Sequence, residues 1–345
     1  MYLLSPLNTF ILSRYPITQR IFPAAGVAIL ALSLFVSSWA TTVPHLVMSQ
    51  GVLYAIGGSM TYCAMIRALD TWFIRRKGMA FGVVLAGNGF AGITVSYVIA
   101  AGFSGFGFKT TVRVWSILLV IILGPLLWWQ KPRAPEKAST GTSFAFFRSP
   151  RFYIPFLATV AQGLGFFLPI IYLPAFAQMV FDANLGLQNG TLTALNGAAV
   201  VGCIVAGVLT DRVHISTVYL TTSLGAAIAV FFLWGFSTHA SVLIIFAIAY
   251  GFFAGSYSTA WTGTIVDLQK SLGTDAVDGG FVYGMLLFAR GFGNVISGPL
   301  SSALVASPIS DAAAAYGTQY GPLLGLTGVT AILGGIAFTT RWLRR

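Results

Sequence analysis

An all-α, polytopic membrane fold in two similar halves is what this sequence predicts, on three observations. Apolar stretches of about 20 residues, enough to cross ~30 Å of hydrocarbon, recur along all 345 residues. Only 8% of the residues are charged, against 57% hydrophobic. A glycine-rich pattern, Gly78-x-x-Phe81-Gly82-x-x-Leu85-x-x-x-Gly89-Phe90, returns as Gly280-x-x-Tyr283-Gly284-x-x-Leu287-x-x-x-Gly291-Phe292, 202 positions later.

A soluble domain carries roughly 25% charged residues, because its surface faces water. Here lipid must cover most of the surface. Backbone groups in lipid bond internally, so the spans are helices, and the short alternating segments of a strand barrel are absent. The net charge of +11 does not mark a nucleic-acid binder, because the cations stand singly between spans and read as topology signals. Cys63 and Cys203 each lie inside an apolar span and are expected to be packed thiols. The first dozen residues carry no basic segment and no small-residue cleavage site, so no cleavable signal peptide is expected.

Residues 2–13 are apolar but too few to span, and read as the second half of a helix. Spans are expected near 21–40, 44–69, 78–102 and 112–129. Residues 130–150 mix Lys131, Arg133, Glu136, Lys137 and Arg148 with proline, serine and threonine, the composition of a flexible connector. Further spans are expected near 152–178, 190–210, 216–236, 241–265, 280–306 and 320–340. Alternate loops, from Arg14–Arg20 to the tail of Arg341, Arg344 and Arg345, hold 15 of the 19 Lys and Arg; the intervening loops hold only Lys109 and Arg113. The positive-inside rule then puts the connector and the C-terminus in the cytoplasm. The sequon Asn189-Gly190-Thr191 falls on the outer side but abuts a span, where a sugar is not expected.

The repeat and the parity combine. If Asp70–Gly92 leads into helix five of a twelve-helix fold, its copy leads into helix eleven, and the halves are parallel repeats of the secondary-transporter kind. By that count residues 1–130 hold a stub of helix two and helices three to six, 131–150 the cytoplasmic connector, and 151–345 helices seven to twelve. Helix one has no counterpart, so the N-terminal half is expected to be truncated.

Trp72-Phe73-x-Arg75-Arg76-Lys77-Gly78-x-Ala80-x-Gly82, with the small-residue run to Gly92, resembles the signature between helices four and five of the monocarboxylate-transporter-like branch of the major facilitator superfamily, its fungal members most closely. The stretch Ser49 to Tyr62 resembles the fourth helix of that branch. Gly207-x-x-x-Asp211-Arg212 resembles the superfamily's loop motif between helices eight and nine. The matching loop after helix two departs from it: Thr9 and Ser13 stand where Gly and Asp belong, and Arg14 remains. The resemblance implies the major facilitator fold and solute transport. Helix eight, Leu192 to Leu209, lacks the Asp and Arg that animal carboxylate carriers place there, so proton–lactate symport is not carried over.

A charge inside a span costs at least ~2.5–3.5 kcal/mol at the helix centre, so it usually faces a cavity or a partner. Arg290 lies about ten residues into its helix, ~15 Å deep by the helical rise. Asn88 holds the equivalent position in the other half. A guanidinium presents a fork of donors matched to a carboxylate. Arg290 is thus expected either to bind an anionic or strongly polar solute or to steady its helix by an interhelical bond. Arg67 and Asp70, three apart near the inner end of helix four, are expected with Arg75 and Arg76 to form a gating cluster, or to be ordinary helix-end charges. Asp211 and Arg212 are a second gating candidate. Gln162, Tyr172, Asn196, Tyr257, Trp261 and Asn294 are further solute-binding candidates that could equally be packing or interhelical glue. The spacing of Gly78, Gly82, Gly89 and Gly92 suits close helix approach, whether for packing or for sliding gates. His45, His214 and His239 share no helical face, there is no phosphate loop, and no paired carboxylates lie within the membrane, so no cofactor, metal or enzymatic chemistry is expected.

The leading expectation is a secondary transporter that moves a small organic solute, a monocarboxylate or similar anion, by alternating access, with a proton as the candidate coupled ion. The expected partners are that solute and the lipid bilayer, with no nucleic acid, and the plasma membrane is the expected location, an organelle membrane the alternative. A truncated, non-transporting sensor or regulatory membrane protein stands beside it, and an embedded enzyme third.

Overall fold

The computed structural model describes residues 1–15, 18–129, 144–273, 277–306 and 314–344, and every regular element among them is helical. The expected connector lies outside the described residues up to position 143; only its end, a 3₁₀ turn at Phe144–Arg148, is described. The elements are α1 (Ser5–Arg14), α2 (Thr18–Ser37), α3 (Val43–Trp72), α4 (Lys77–Trp129), α5 (Pro150–Phe181), α6 (Leu185–Arg212), α7 (Ile215–Trp234), α8 (Ala240–Leu272), α9 (Gly279–Val305) and α10 (Gly321–Trp342). All ten expected spans fall on these helices. Eight of the helices are long and apolar enough to cross a membrane. α9 is not among them, because Arg290 and Asn294 lower its apolar average.

Local chemistry sets the helix ends. α1 stops at Tyr15, whose extended backbone suits the residue before Pro16. α6 starts after Asn184, whose side chain accepts a bond from the Leu187 amide, and α7 after His214, whose Nδ1 accepts from the Ser216 amide. α4 has 53 residues, ~80 Å of helix and too long for one crossing. It breaks at Gly107 (φ 73°, ψ 170°), a backbone state open mainly to glycine, and its two arms are the two spans expected there. α3 holds a π-helical stretch, Val47–Leu53, and α7 another at Ala229–Trp234.

Contacts gather the chain into two units. The first comprises Met1–Ile74, Thr94–Ala145 and Leu272–Phe288. Its α2 turns one face, Gly26, Val27, Leu30 and Ser33, inward and packs on α3. Asn8 Nδ2 donates to Ser59 Oγ at 2.8 Å, tying α1 to α3 beside buried Leu12, Cys63 and Ala64. In lipid, apolar burial gives no net pull between helices, so such polar ties and close packing hold them. Ser116 Oγ likewise donates to the Ala31 carbonyl, linking the second arm of α4 to α2.

The second unit comprises Arg75–Ile93, Phe146–Ser271 and Ala289–Arg345. Its core joins α5, α6, α7, α8 and α10 around Trp234, stacked on Phe246 at 5.0 Å and edge-on to Phe176 at 5.8 Å. Cys203 is buried in a smaller cluster with Leu85 and Ala86.

Candidate functional site

Arg290 sits where α5 and α9 cross in the second unit. Gly163 and Gly293 make that crossing close: a Cβ on Gly163 would stand 2.8 Å from the Arg290 carbonyl oxygen. The approach brings the face of α5 that carries Gln162 and Phe166, four residues apart, against the guanidinium. Arg290 Nη2 donates to Gln162 Oε1 at 3.1 Å, and Cζ lies 4.0 Å from the Phe166 ring centre and 5.4 Å from that of Trp261. Both Arg290 and Gln162 are 5% exposed. A cation placed over two aromatic faces and bonded to a carboxamide recovers part of the solvation it loses on burial.

Beside Gln162 lies a small polar cavity lined by Thr222, Ser223, Tyr250, Tyr257, Thr327 and Thr330. Its free volume is about 10 Å³, room for roughly one water. Tyr257 Oη donates to the Gly334 carbonyl at 3.2 Å and Tyr250 Oη to that of Phe166 at 3.1 Å. Of the expected solute-binding residues, the structure therefore gathers Arg290, Gln162, Trp261 and Tyr257.

The others stand apart from that cluster. Asn88 is exposed, although its counterpart Arg290 is buried. Asn196 is half-buried, donates to the Leu192 carbonyl, and packs against Gly89 and Gly92. Tyr172 Oη donates to Ser301 Oγ at 3.1 Å. Asn294 is half-buried one turn past Arg290. Phe166 was not anticipated, since one phenylalanine among 28 carries no signal; its place four residues after Gln162 is the only pointer.

Two of the gating candidates, Asp211 and Arg67, have definite partners. Asp211 accepts from the Gly78 and Met79 amides at 2.8 Å each, so its carboxylate caps the N-terminus of α4. Two orphan donors and the positive end of the helix dipole meet one anion there. A glycine seam permits it: a Cβ on Gly82 would lie 2.5 Å from the Cys203 carbonyl oxygen, and one on Gly207 2.6 Å from that of Gly78. In the first unit Arg67 Nη1 meets Asp278 Oδ2 at 3.2 Å, and Asp278 Oδ1 also accepts from the Phe281 amide at the start of α9. Asp278 was not singled out from the sequence, though an Asp-Gly just before a helix is the signature of a cap. Asp70 is half-buried, and Arg75, Arg76 and Arg212 are exposed. Arg76 takes a positive φ of 56° in the turn before α4. Thr191 of the sequon is fully buried, with Oγ1 bonded to the Gln188 carbonyl.

Comparison with known proteins bears on the whole chain. The family model of the Major Facilitator Superfamily matches residues 1–297. The MFS transporter asaE of Aspergillus flavus is 24% identical over 341 residues, 95% of this chain and 74% of the relative. The Fujikurins efflux protein of Gibberella fujikuroi is 26% identical over 74% of this chain and 55% of its own length. Among solved structures, the proton:xylose symporter XylE superposes with a TM-score of 0.75 at 14% identity, covering 99% of this chain and 83% of that one. The duplicated helices, the capped loop motif and these matches converge: the chain belongs to the Major Facilitator Superfamily, a family of multi-pass membrane transporters.

Proposed function

We propose that the chain moves a small organic anion, a monocarboxylate or a chemically similar acid, across the plasma membrane by alternating access between its two sequence halves. The observation that carries this reading is Arg290, a guanidinium buried at mid-helix against Gln162, Phe166 and Trp261. An ionisable side chain at membrane depth marks a solute or ion pathway by default, because its burial is costly without a purpose. A carboxylate takes two parallel N–H bonds from a guanidinium, and the neutral Gln162 oxygen is a partner it can displace. The aromatic faces would then hold the apolar body of the solute. The resemblance of Trp72 to Gly82 to the monocarboxylate-transporter-like branch supports the same solute class.

Asp211 on the α4 N-terminus and Arg67 with Asp278 serve, on this reading, as contacts that bias exchange between inward- and outward-open states. Proton coupling is in keeping with a fold neighbour that is a proton symporter. A relative named for efflux supports outward movement of an organic product as the direction to test beside uptake. The second reading, that Arg290 only ties α9 to α5, is favoured by its 5% exposure.

The deciding measurement is transport of labelled monocarboxylates, in and out, by cells lacking their own carriers. Arg290→Ala should abolish it and Arg290→Lys should reduce it at least tenfold, both at unchanged membrane abundance. Wild-type-like transport in both variants would overturn the anion site and leave the tie.

A further inference from the structure

The small cavity beside Gln162 is enclosed by α5, α7, α8 and α10, all within the second unit, and its free volume of about 10 Å³ suits one water-sized guest. Gly334 is what opens it. A Cβ there would stand 3.0 Å from Gln162 Cβ and 3.3 Å from Ser223 Oγ, so the bare glycine brings these two polar side chains to a common space.

The lining is short of free donors. Tyr250 and Tyr257 give their hydrogens to the carbonyls of Phe166 and Gly334. Thr222, Thr327 and Thr330 each donate to the carbonyl four residues back, at 2.8 Å. With those hydrogens committed to backbone, every one of these hydroxyls still has room to accept. Two donors remain. Ser223 Oγ is buried with no hydrogen-bond partner among the described residues. Gln162 has its oxygen on Arg290, which leaves the two N–H bonds of Nε2 to be placed. Ordered water is the usual partner of polar groups buried in this way.

The chemistry of the guest follows from these groups. A cation would meet Arg290 one side chain away and be repelled. An anion would find most of the hydrogens turned from it, and an organic ligand does not fit. We propose that one buried water binds here, accepting from Gln162 Nε2 and Ser223 Oγ and donating to hydroxyl oxygens of the lining. The water fixes which way the carboxamide lies: with Nε2 held on the cavity side, Oε1 stays on Arg290. Ser223 is thus a positioning residue for the Arg290 site. When a solute carboxylate takes Arg290, Gln162 keeps its place on the water; that consequence rests on the anion reading of Arg290, and the water itself does not.

X-ray radiolytic footprinting of the purified full chain tests it, because hydroxyl radicals formed on a bound water oxidise side chains that bulk solvent does not reach. Tyr250 and Tyr257, 3% and 1% exposed, should be oxidised in the wild type as readily as Tyr15, which is 57% exposed. After rapid mixing with water carrying heavy oxygen, the label should enter the products at Tyr250 and Tyr257 later than at Tyr15. Ser223→Ala should make that entry about fivefold faster, the factor that ~1 kcal/mol for one hydrogen bond amounts to. No oxidation of either buried tyrosine, label entry as fast as at Tyr15, or an entry rate unaltered in Ser223→Ala would overturn the proposal. Gln162→Leu and Ser223→Ala should together lower the unfolding midpoint by less than the sum of their separate effects, since each removes the same bridge; strict additivity would refute the bridge. Should Ser223→Ala fail to fold, footprinting of the wild type decides alone. A dry cavity beside Arg290-dependent transport would sink the water and leave the anion site, and a hydrated cavity without such transport would do the reverse.

Discussion

Gln162 shows what one residue contributes when its neighbour is a buried cation. Its Oε1 is bonded to Arg290 at 3.1 Å, and both side chains are withdrawn from solvent. Gln162→Leu keeps the volume and removes the acceptor, so it should cost ~1.5–3 kcal/mol, the range for a hydrogen bond to a charged group. Thermal unfolding in detergent would show it as a lower midpoint, and an unchanged midpoint would mean that Arg290 finds another acceptor. Arg67 and Asp278 invite a double-mutant cycle. With side chains 10% and 18% exposed, they should show a coupling of about 1–3 kcal/mol, beyond the ~0.2–1 of surface pairs. Arg290 was legible in the sequence because arginine in a span is rare. Phe166 and Asp278 were not, because their contacts link positions 124 and 211 residues away, and no local pattern encodes such distances.

At the scale of elements, the duplicated helix starts are finished in two different ways. α4 begins with no acid of its own and borrows the carboxylate of Asp211 from the end of α6. α9 begins with Asp278, which caps its own first turn and holds Arg67. The sequence shows the complement of this asymmetry: the Asp of the loop motif is kept at Asp211 and replaced by Ser13 in the other copy. Thr9, in place of the motif glycine, packs its side chain on Gly284 and returns its hydroxyl to the Ser5 carbonyl. Asp211→Asn keeps an acceptor and loses the charge, so it should destabilise by about 0.5–1 kcal/mol, read as a shift in unfolding midpoint. Gly82→Leu should be far worse, since its Cβ alone would press on the Cys203 carbonyl at 2.5 Å; loss of the monodisperse peak in size-exclusion chromatography is the expected result. Both helix capping and the glycine seam could be suspected from spacing, but the partner helix could not be named.

The whole molecule follows from composition more than from any contact. With 8% charge and ten recurring apolar spans, lipid is the only solvent that suits the chain, and the helices appear where hydropathy puts them. Orientation is a separate statement, resting on 15 cations in one set of loops against two in the other. A phosphatase or fluorescent reporter fused after Arg345 checks it: the fluorescent fusion should be active and the phosphatase silent, and the reverse would invert the topology. Seven expected cytoplasmic arginines and lysines lie in the connector and tail, so their neutralisation should weaken the orientation where a change at Lys109 should not.

Sequence alone determined the solvent, the helical class, the spans and the duplication, because each depends on properties of neighbouring residues: apolar runs, charge spacing and a repeated glycine pattern. Tertiary structure alone decided which polar groups meet. Arg290 could have been exposed like its counterpart Asn88, and it is buried because α5 crosses α9 at Gly163 and Gly293. Asp211 could have been a loose loop charge, and it caps α4 because a glycine seam lets two backbones approach within reach of one carboxylate. Such pairings are set by the crossing of helices distant in the chain, and their energy depends on ångström distances that a one-dimensional pattern does not contain.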